Sequence, residues 1–307
     1  MIPVLLTILP IFVVIFLGFV LSRWGRLSPA VAGEVNWLVF YVAIPAMIFS
    51  KVSAAPFAGR FSLSLCLGVV APVAAAFVLG LLLVRVLSLP REVSGTFVQS
   101  GFHGNLGYIG LAVAYYHLGD AGLAAAGVFA AFLMFAQNIL GVMVLAMFAP
   151  GEGPRPTAGF RAKKILANPV ILAAAAGIAF SLSGRPMPLF AARILDIVSG
   201  MALPLALLII GASLSFSLLA HTWKLAAAAG AVKLLFVPAV GWAVFSALGH
   251  PPEAWLPALI LLAAPTATIT RIMAGEMQGS TELAAAAVSL NTLLSALTYI
   301  AWLSLIG

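Results

Sequence analysis

Residues 10–45 read PIFVVIFLGFVLSRWGRLSPAVAGEVNWLVFYVAIP, and residues 169–204 repeat the pattern as PVILAAAAGIAFSLSGRPMPLFAARILDIVSGMALP. At a constant shift of 159 positions, 10 of the 36 aligned residues are identical. Half of these identities are prolines and glycines, which shape the backbone: Pro10/Pro169, Gly18/Gly177, Gly25/Gly184, Pro29/Pro188 and Pro45/Pro204. A match of this kind in an apolar chain indicates a duplicated membrane domain.

The composition of the 307 residues is that of a protein dissolved in lipid. Hydrophobic residues make up 64% of the chain and charged residues only 7%, whereas soluble domains carry roughly 25% charged residues. The single cysteine, Cys66, excludes an internal disulfide and a cysteine-based metal cluster, and we expect neither a metal nor a cofactor. The net charge of +7 is scattered over short loops, so we expect no nucleic-acid partner.

Apolar runs of bilayer length predict an all-α membrane protein with ten transmembrane helices, because lipid leaves no partner for unpaired backbone groups. The predicted spans 1 to 10 are 3–22, 35–51, 61–87, 93–116, 122–148, 164–182, 192–214, 223–248, 254–274 and 282–305. The connection 149–163 is rich in proline and glycine. It is predicted to be a cytoplasmic linker between a first five-helix repeat, 1–148, and a second, 164–307.

The distribution of lysine and arginine predicts the orientation. Ten of these residues follow the odd-numbered spans and four lie on the opposite side, so the former side is predicted to be cytoplasmic. A multi-pass protein of the cell (inner) membrane with both termini extracytoplasmic follows. Because five is an odd number, the second repeat is predicted to be inverted, as in many secondary transporters.

Spans 4 and 9 both contain residues that interrupt a helix. Residues 100–110 of span 4 read SGFHGNLGYIG, and residues 264–271 of span 9 read APTATITR. Glycine weakens a helix, and a proline within a span frees a backbone carbonyl. Equivalent interruptions in the two halves indicate a transporter's binding site, where half-helix N-termini attract an anion. The alternative is close helix packing at the glycines and a simple kink at Pro265.

Several motifs resemble the auxin efflux carrier family, which includes the plant PIN auxin transporters and bacterial carriers. The motifs are NWLVFYVAIPAMIF at 36–49, GNLGYIG at 104–110, NP at 168–169, PLA at 204–206, GASL at 211–214, KLLFVP at 233–238, APTA at 264–267 and NTLLS at 291–295. Together they extend the resemblance over essentially the whole chain. One departure is Ala112, where the family usually has proline, and it leaves the position of the break in span 4 open.

The resemblance implies a fold related to sodium/bile-acid symporters and sodium/proton antiporters, with broken crossover helices 4 and 9. It also implies a homodimer formed through the scaffold spans. Spans 1, 2, 6 and 7 would form this scaffold, and spans 3–5 and 8–10 a mobile transport domain.

Polar residues within the spans are the candidates for substrate binding. Asn105 offers two amide donors in the predicted break, and the resemblance places an asparagine of the crossover at the substrate. Gln137 and Asn138 either bind substrate carboxylates or join helices. Arg271 either pairs with a carboxylate or extends to the aqueous interface. The substrate-binding candidates are Asn105, Gly107, Gln137, Asn138, Pro265, Thr266, Thr268, Arg271 and Asn291.

Two further residues carry or acquire charge within the spans. Lys233 either balances the dipole at a helix C-terminus or meets the substrate. His103 leaves proton coupling open. No aspartate or glutamate lies deep within a predicted span, which argues against a buried carboxylate that carries a coupled ion and favours an anion as substrate.

These features predict a secondary transporter and exclude an enzyme, since no nucleophile, base or metal constellation is present. The predicted substrates are small organic anions, either carboxylates or auxin-like acids, moved by an elevator-type alternating-access mechanism. The alternative is a sodium- or proton-coupled organic-acid symporter of bile-acid type. The exact substrate, the direction of transport and the coupling ion stay open at this stage.

Overall fold

The computed structural model describes residues 2–55, 63–149, 167–216 and 219–306, and these ranges contain twelve helices. The helices are α1 (Ile2–Arg23), α2 (Pro29–Ala54), α3 (Ser64–Val86), α4 (Arg91–Phe102), α5 (106–118), α6 (120–148), α7 (Pro169–Leu182), α8 (Leu189–Ser213), α9 (His221–Ala247), α10 (Pro252–Leu262), α11 (Ile269–Glu276) and α12 (Thr281–Ile306). Gly119, with φ 68° and ψ −161°, separates α5 from α6. Nearly all of the predicted linker lies outside the described residues.

The helices form a multi-pass membrane protein. Seven helical segments of the described part are long and apolar enough to cross a bilayer, and the segment Leu106–Phe148, which comprises α5 and α6 on either side of Gly119, counts as one of them. The interrupted helices α4, α10 and α11 are too short to cross alone. Large apolar side chains such as Leu6, Phe16 and Phe190 are exposed on the surface, where lipid rather than water is the favourable solvent.

Side-chain caps and prolines determine where the repeated helices begin. The Ser28 hydroxyl accepts a hydrogen bond from the Val31 amide, and Pro29 occupies the first turn of α2. Asn168 caps α7 in the same way ahead of Pro169, as expected for these residue types. Because Ser28 caps α2, this helix begins six residues earlier than the predicted limit at residue 35.

Two of the three π-helical turns of the described chain lie just before a proline. The turn Val39–Ala43 precedes Pro45 in α2, and the turn Val232–Phe236 precedes Pro238 in α9. A proline cannot donate to the carbonyl four residues earlier, and a π turn relieves the resulting clash. The carbonyl freed by Pro238, that of Leu234, accepts a hydrogen bond of 3.0 Å from the Trp302 indole.

Helix α1 packs along α8, and helix α2 packs along α7. Gly18 lies directly against the backbone carbonyl of Leu208, and Gly177 lies against that of Phe49. These two contacts are related by the same shift of 159 positions, since 18 becomes 177 and 49 becomes 208. The duplicated glycines therefore make equivalent backbone contacts in the two halves, where a side chain would keep the helices apart.

The turns with positive φ repeat as well. Among the described residues, six have φ between 48° and 74°. They fall into pairs at shifts of 159, 161 and 159 positions: Gly25 with Gly184, Ser88 with Gly249, and Gly119 with Gln278. Only the first pair is identical in sequence, so positive-φ turns recur at nearly the same shift where the residue types differ.

We expect Gly211→Ala to destabilise the packing of α1 against α8. A Cβ at residue 211 would overlap the carbonyl oxygen of Ile15, and both groups belong to rigid helix backbone. Overpacking of this kind costs about 1–3 kcal/mol, so the unfolding temperature should fall. Gly33→Ala is the matched control, because a Cβ there meets no atom within 4 Å. Equal unfolding temperatures for the two variants would contradict the contact.

Candidate substrate site at the helix crossover

Two interrupted helices cross at one place in the protein. Helix α4 ends at Phe102 and α5 begins at residue 106, while α10 ends at Leu262 and α11 begins at Ile269. We call residues 103–105 and 263–268 the crossover. Within it, Gly104 and Thr266 form an antiparallel β-bridge. The C-termini of α4 and α10 and the N-termini of α5 and α11 therefore all adjoin the crossover.

The bridge is symmetric. The backbone N–H of Asn105 donates to the Pro265 carbonyl over 2.7 Å, and the backbone N–H of Ala267 donates to the His103 carbonyl over 2.9 Å. A shift of 162 positions converts one bond into the other. The two hydrogen bonds of the bridge thus satisfy backbone groups that the interruptions free, as the membrane interior requires.

Side chains satisfy the carbonyls at the ends of α4 and α10. Thr266 donates its hydroxyl to the Ser100 carbonyl over 2.8 Å. Lys233 donates to the Leu262 carbonyl over 2.6 Å. Residues 100 and 262 are again 162 positions apart. Their equivalent carbonyls therefore accept hydrogen bonds from different groups, a hydroxyl at Ser100 and an ammonium at Leu262.

Gln137 holds the break between α4 and α5. Its amide nitrogen donates to the Phe102 carbonyl over 3.2 Å, and its amide oxygen accepts from the Gly104 amide, also over 3.2 Å. Both polar atoms of the Gln137 side chain are therefore hydrogen-bonded to the backbone. Asn138 is half-buried at the next position of α6, where it is turned about 100° from Gln137.

The buried ionisable side chains at the crossover are both basic. Lys233 is fully buried, and its ammonium lies beside Gly104, where an added Cβ would be 3.2 Å from Nζ. His103 is buried and stacks on Phe102, and its Nδ1 is 3.4 Å from the Gln99 amide nitrogen. In contrast, each of the seven acidic residues that the structure describes is exposed. Buried cation without a buried carboxylate favours a negatively charged ligand.

Asn105 presents a free donor in this setting. The side chain is only 6% exposed, and its Nδ2 has no hydrogen-bond partner. It immediately precedes the first turn of α5, where Gly107 has only the Met134 methyl within 4 Å of an added Cβ. An orphaned amide donor at a helix N-terminus is suited to an anion.

The polar residues of α12 and α11 have other roles. Asn291 donates to the Thr266 hydroxyl over 2.8 Å, and its Oδ1 lies against Gly230. Asn291 is therefore engaged in joining α12 to the crossover. Thr268 is half-buried immediately before α11, and Arg271 is exposed in the first turn of α11.

Two residues at this site were absent from the sequence-predicted set. The Tyr108 hydroxyl donates to the Asn36 amide oxygen over 2.6 Å, which joins α5 to α2 three residues after Asn105. Both residues lie in the motifs that carry the family resemblance, NWLVFYVAIPAMIF and GNLGYIG. Those motifs were the only available signal, since neither residue is unusual by type or periodicity.

Paired interrupted helices within an all-helical, multi-pass bundle are typical of membrane transporters. The chain belongs to the membrane transport protein family, the auxin efflux carrier family that its motifs resemble. The sequence model of this family matches residues 3–157 and residues 154–303. This family match indicates a membrane transporter and not an enzyme.

Similar proteins include two transporters by name. One, from Rhizobium meliloti, is named "Putative malonate transporter" and is 28% identical over 308 residues, 97% of this chain and 94% of that protein. Another, from Methanothermobacter thermautotrophicus, is named "Uncharacterized transporter" and is 26% identical over 298 residues, 96% of each chain.

Proposed function

We propose that this protein is a secondary transporter of small organic anions, carboxylates foremost, across the cytoplasmic membrane. The observation that carries the proposal is the unpartnered side-chain amide nitrogen of Asn105, which lies at the N-terminus of α5 and follows Gly104, the residue against which the Lys233 side chain lies. A carboxylate there would accept hydrogen bonds from the amide of Asn105. The name of the Rhizobium meliloti relative supports a carboxylate as the substrate class.

The transport mechanism that we propose is an elevator movement between two inverted five-span repeats. Spans 4 and 9 would each consist of two of the helices, α4 with α5 and α10 with α11, which gives ten spans from twelve helices. The paired positive-φ turns, the equivalent Gly18 and Gly177 contacts and the symmetric crossover bridge support this arrangement.

In this proposal α1, α2, α7 and α8 form the scaffold, and the remaining helices carry the substrate. The scaffold would also form a homodimer, which the family resemblance supports and native mass spectrometry would test. The excess of lysine and arginine after odd-numbered spans supports a cytoplasmic linker and extracytoplasmic termini.

The substrate site that we propose centres on Asn105 and Gly107, with Pro265, Thr266 and Thr268 on the opposite side of the crossover. Gln137 and Asn291 would act by holding the crossover in shape, because their amides are engaged with backbone and with Thr266. Asn138 on α6 and Arg271 on α11 belong to the same transport domain as Asn105, and we keep both as candidates for contact with the substrate.

The second candidate is a coupled symporter, in either a sodium-coupled or a proton-coupled form. The Lys233 ammonium donates a hydrogen bond to the Leu262 carbonyl. This carbonyl oxygen is then not available to coordinate a sodium ion, which disfavours sodium coupling. His103 is buried within the crossover and leaves proton coupling open as the alternative.

Uptake of radiolabelled malonate into proteoliposomes tests the proposal. We expect saturable uptake with the same rate in sodium chloride and in choline chloride, because Lys233 takes the place of a cation. Empty liposomes are the control. Uptake that requires sodium would favour the bile-acid-type symporter, and failure of malonate and of other carboxylates to be transported would refute the assigned substrate class.

A further inference from the structure

A second polar region lies away from the crossover, in a cavity of about 700 Å³. The cavity opens between the C-terminal end of α2, the N-terminal ends of α6 and α8, and the loop that joins α7 to α8. Its walls include Phe129, Phe180 and Leu195, and its charged residues are Lys51, Asp120, Arg185 and Asp196. The lining on α6 ends at Phe129, eight residues before Gln137, so the crossover is not part of it.

An ion pair crosses this cavity between two parts of the molecule. Lys51 on α2 is 3.0 Å from the Asp120 carboxylate, which directly follows Gly119 at the start of α6. The Lys51 side chain is 24% exposed and that of Asp120 is 65% exposed. Exposed pairs of this kind contribute little to stability, so a competing carboxylate can separate them at low cost.

Arg185 supplies a second cation in the same cavity. Across the described residues, it has no carboxylate within 4.0 Å, although Asp196 also lines the cavity. Two cations and two carboxylates leave the cavity neutral while Asp120 is paired. Displacement of Asp120 towards water would leave Lys51 and Arg185 facing Asp196 alone, which gives a net attraction for an anion.

We propose that this cavity is a binding site for small carboxylates, distinct from the crossover, in which the ligand replaces Asp120 as the partner of Lys51. Ligand binding then breaks the ion pair between α2 and α6. In the proposed orientation the cavity faces the extracytoplasmic side, where a carboxylate that enters from outside would meet it before the crossover. The role in transport rests on the proposed function, whereas binding to the cavity does not require it.

Because the ligand and Asp120 compete for Lys51, removal of the Asp120 carboxylate should strengthen the binding of a carboxylate. Malonate binding is measured by calorimetry on the purified full-length protein in the Asn105→Ala background, which removes the crossover site. We expect Asp120→Asn to lower the dissociation constant about threefold, because Lys51 is then free. Lys51→Gln and Arg185→Gln should each raise it by a similar factor.

Arg193→Gln is the matched control, since Arg193 is an exposed arginine of α8 outside the cavity, and its dissociation constant should be unchanged. The double variant Lys51→Gln/Asp120→Asn should lose the gain in affinity. Unchanged or weaker binding in Asp120→Asn, a gain that persists without Lys51, or no binding in any variant would overturn the proposal. Binding of this pattern without transport by the wild-type protein would refute the proposed function alone.

Discussion

For the proposed carboxylate transporter, replacement of Asn105 by alanine should reduce the uptake of radiolabelled malonate about 100-fold while leaving the fold intact. The amide nitrogen of Asn105 has no protein partner and is almost fully buried, so its removal breaks no hydrogen bond within the protein. In contrast, a bound carboxylate would lose two charge-assisted hydrogen bonds, each contributing about 1.5 kcal/mol. Initial uptake rates in proteoliposomes measure the effect, and the unfolding temperature should stay that of the wild type.

Asn105→Asp sharpens this test because it keeps the shape of the side chain. The amide donor becomes an acceptor that carries negative charge, and an anionic substrate would be repelled. Both variants should therefore be folded and should take up malonate about 100-fold more slowly than the wild type, or more slowly still. Transport at the wild-type rate by either one would remove Asn105 from the substrate site and, with it, the observation on which the proposed function rests.

The position of the crossover was foreseeable because it depends on local backbone chemistry. Glycines on both sides of Asn105 weaken the helix, and Pro265 cannot complete it. Ala112 left the break in span 4 uncertain, yet the break lies at residues 103–105, ahead of the position where the family has proline. The glycines, together with the β-bridge between Gly104 and Thr266, are sufficient to interrupt the helix without a proline.

The partners of the polar side chains were not foreseeable in the same way. An amide in an apolar helix pairs with whichever backbone group packing brings near, and sequence does not specify that neighbour. Gln137 and Asn291 have the same chemistry as Asn105, but only Asn105 keeps a free amide nitrogen among these three. The choice between substrate contact and helix contact therefore needs the three-dimensional arrangement.

Lys233→Met should lower the stability of the protein by about 2 kcal/mol. The substitution keeps the length and the apolar stem of the side chain but removes the donor to the Leu262 carbonyl, which is buried at the C-terminus of α10. An unsatisfied buried acceptor costs about 1–3 kcal/mol, and the loss of the positive charge also removes the favourable interaction with the helix dipole. Thermal unfolding in detergent measures the difference.

Lys224→Met is the matched control, since Lys224 is an exposed lysine of the same helix, and its unfolding temperature should not change. Lys233→Ala then tests whether the ammonium acts in the place of a metal cation. With the side chain gone, the carbonyl of Leu262 is open to a sodium ion, so the unfolding temperature of this variant should be higher in sodium chloride than in choline chloride. The wild-type protein should show no such difference. A variant indifferent to sodium would mean that the lysine fills space and donates one hydrogen bond, and that its charge does not substitute for a bound ion.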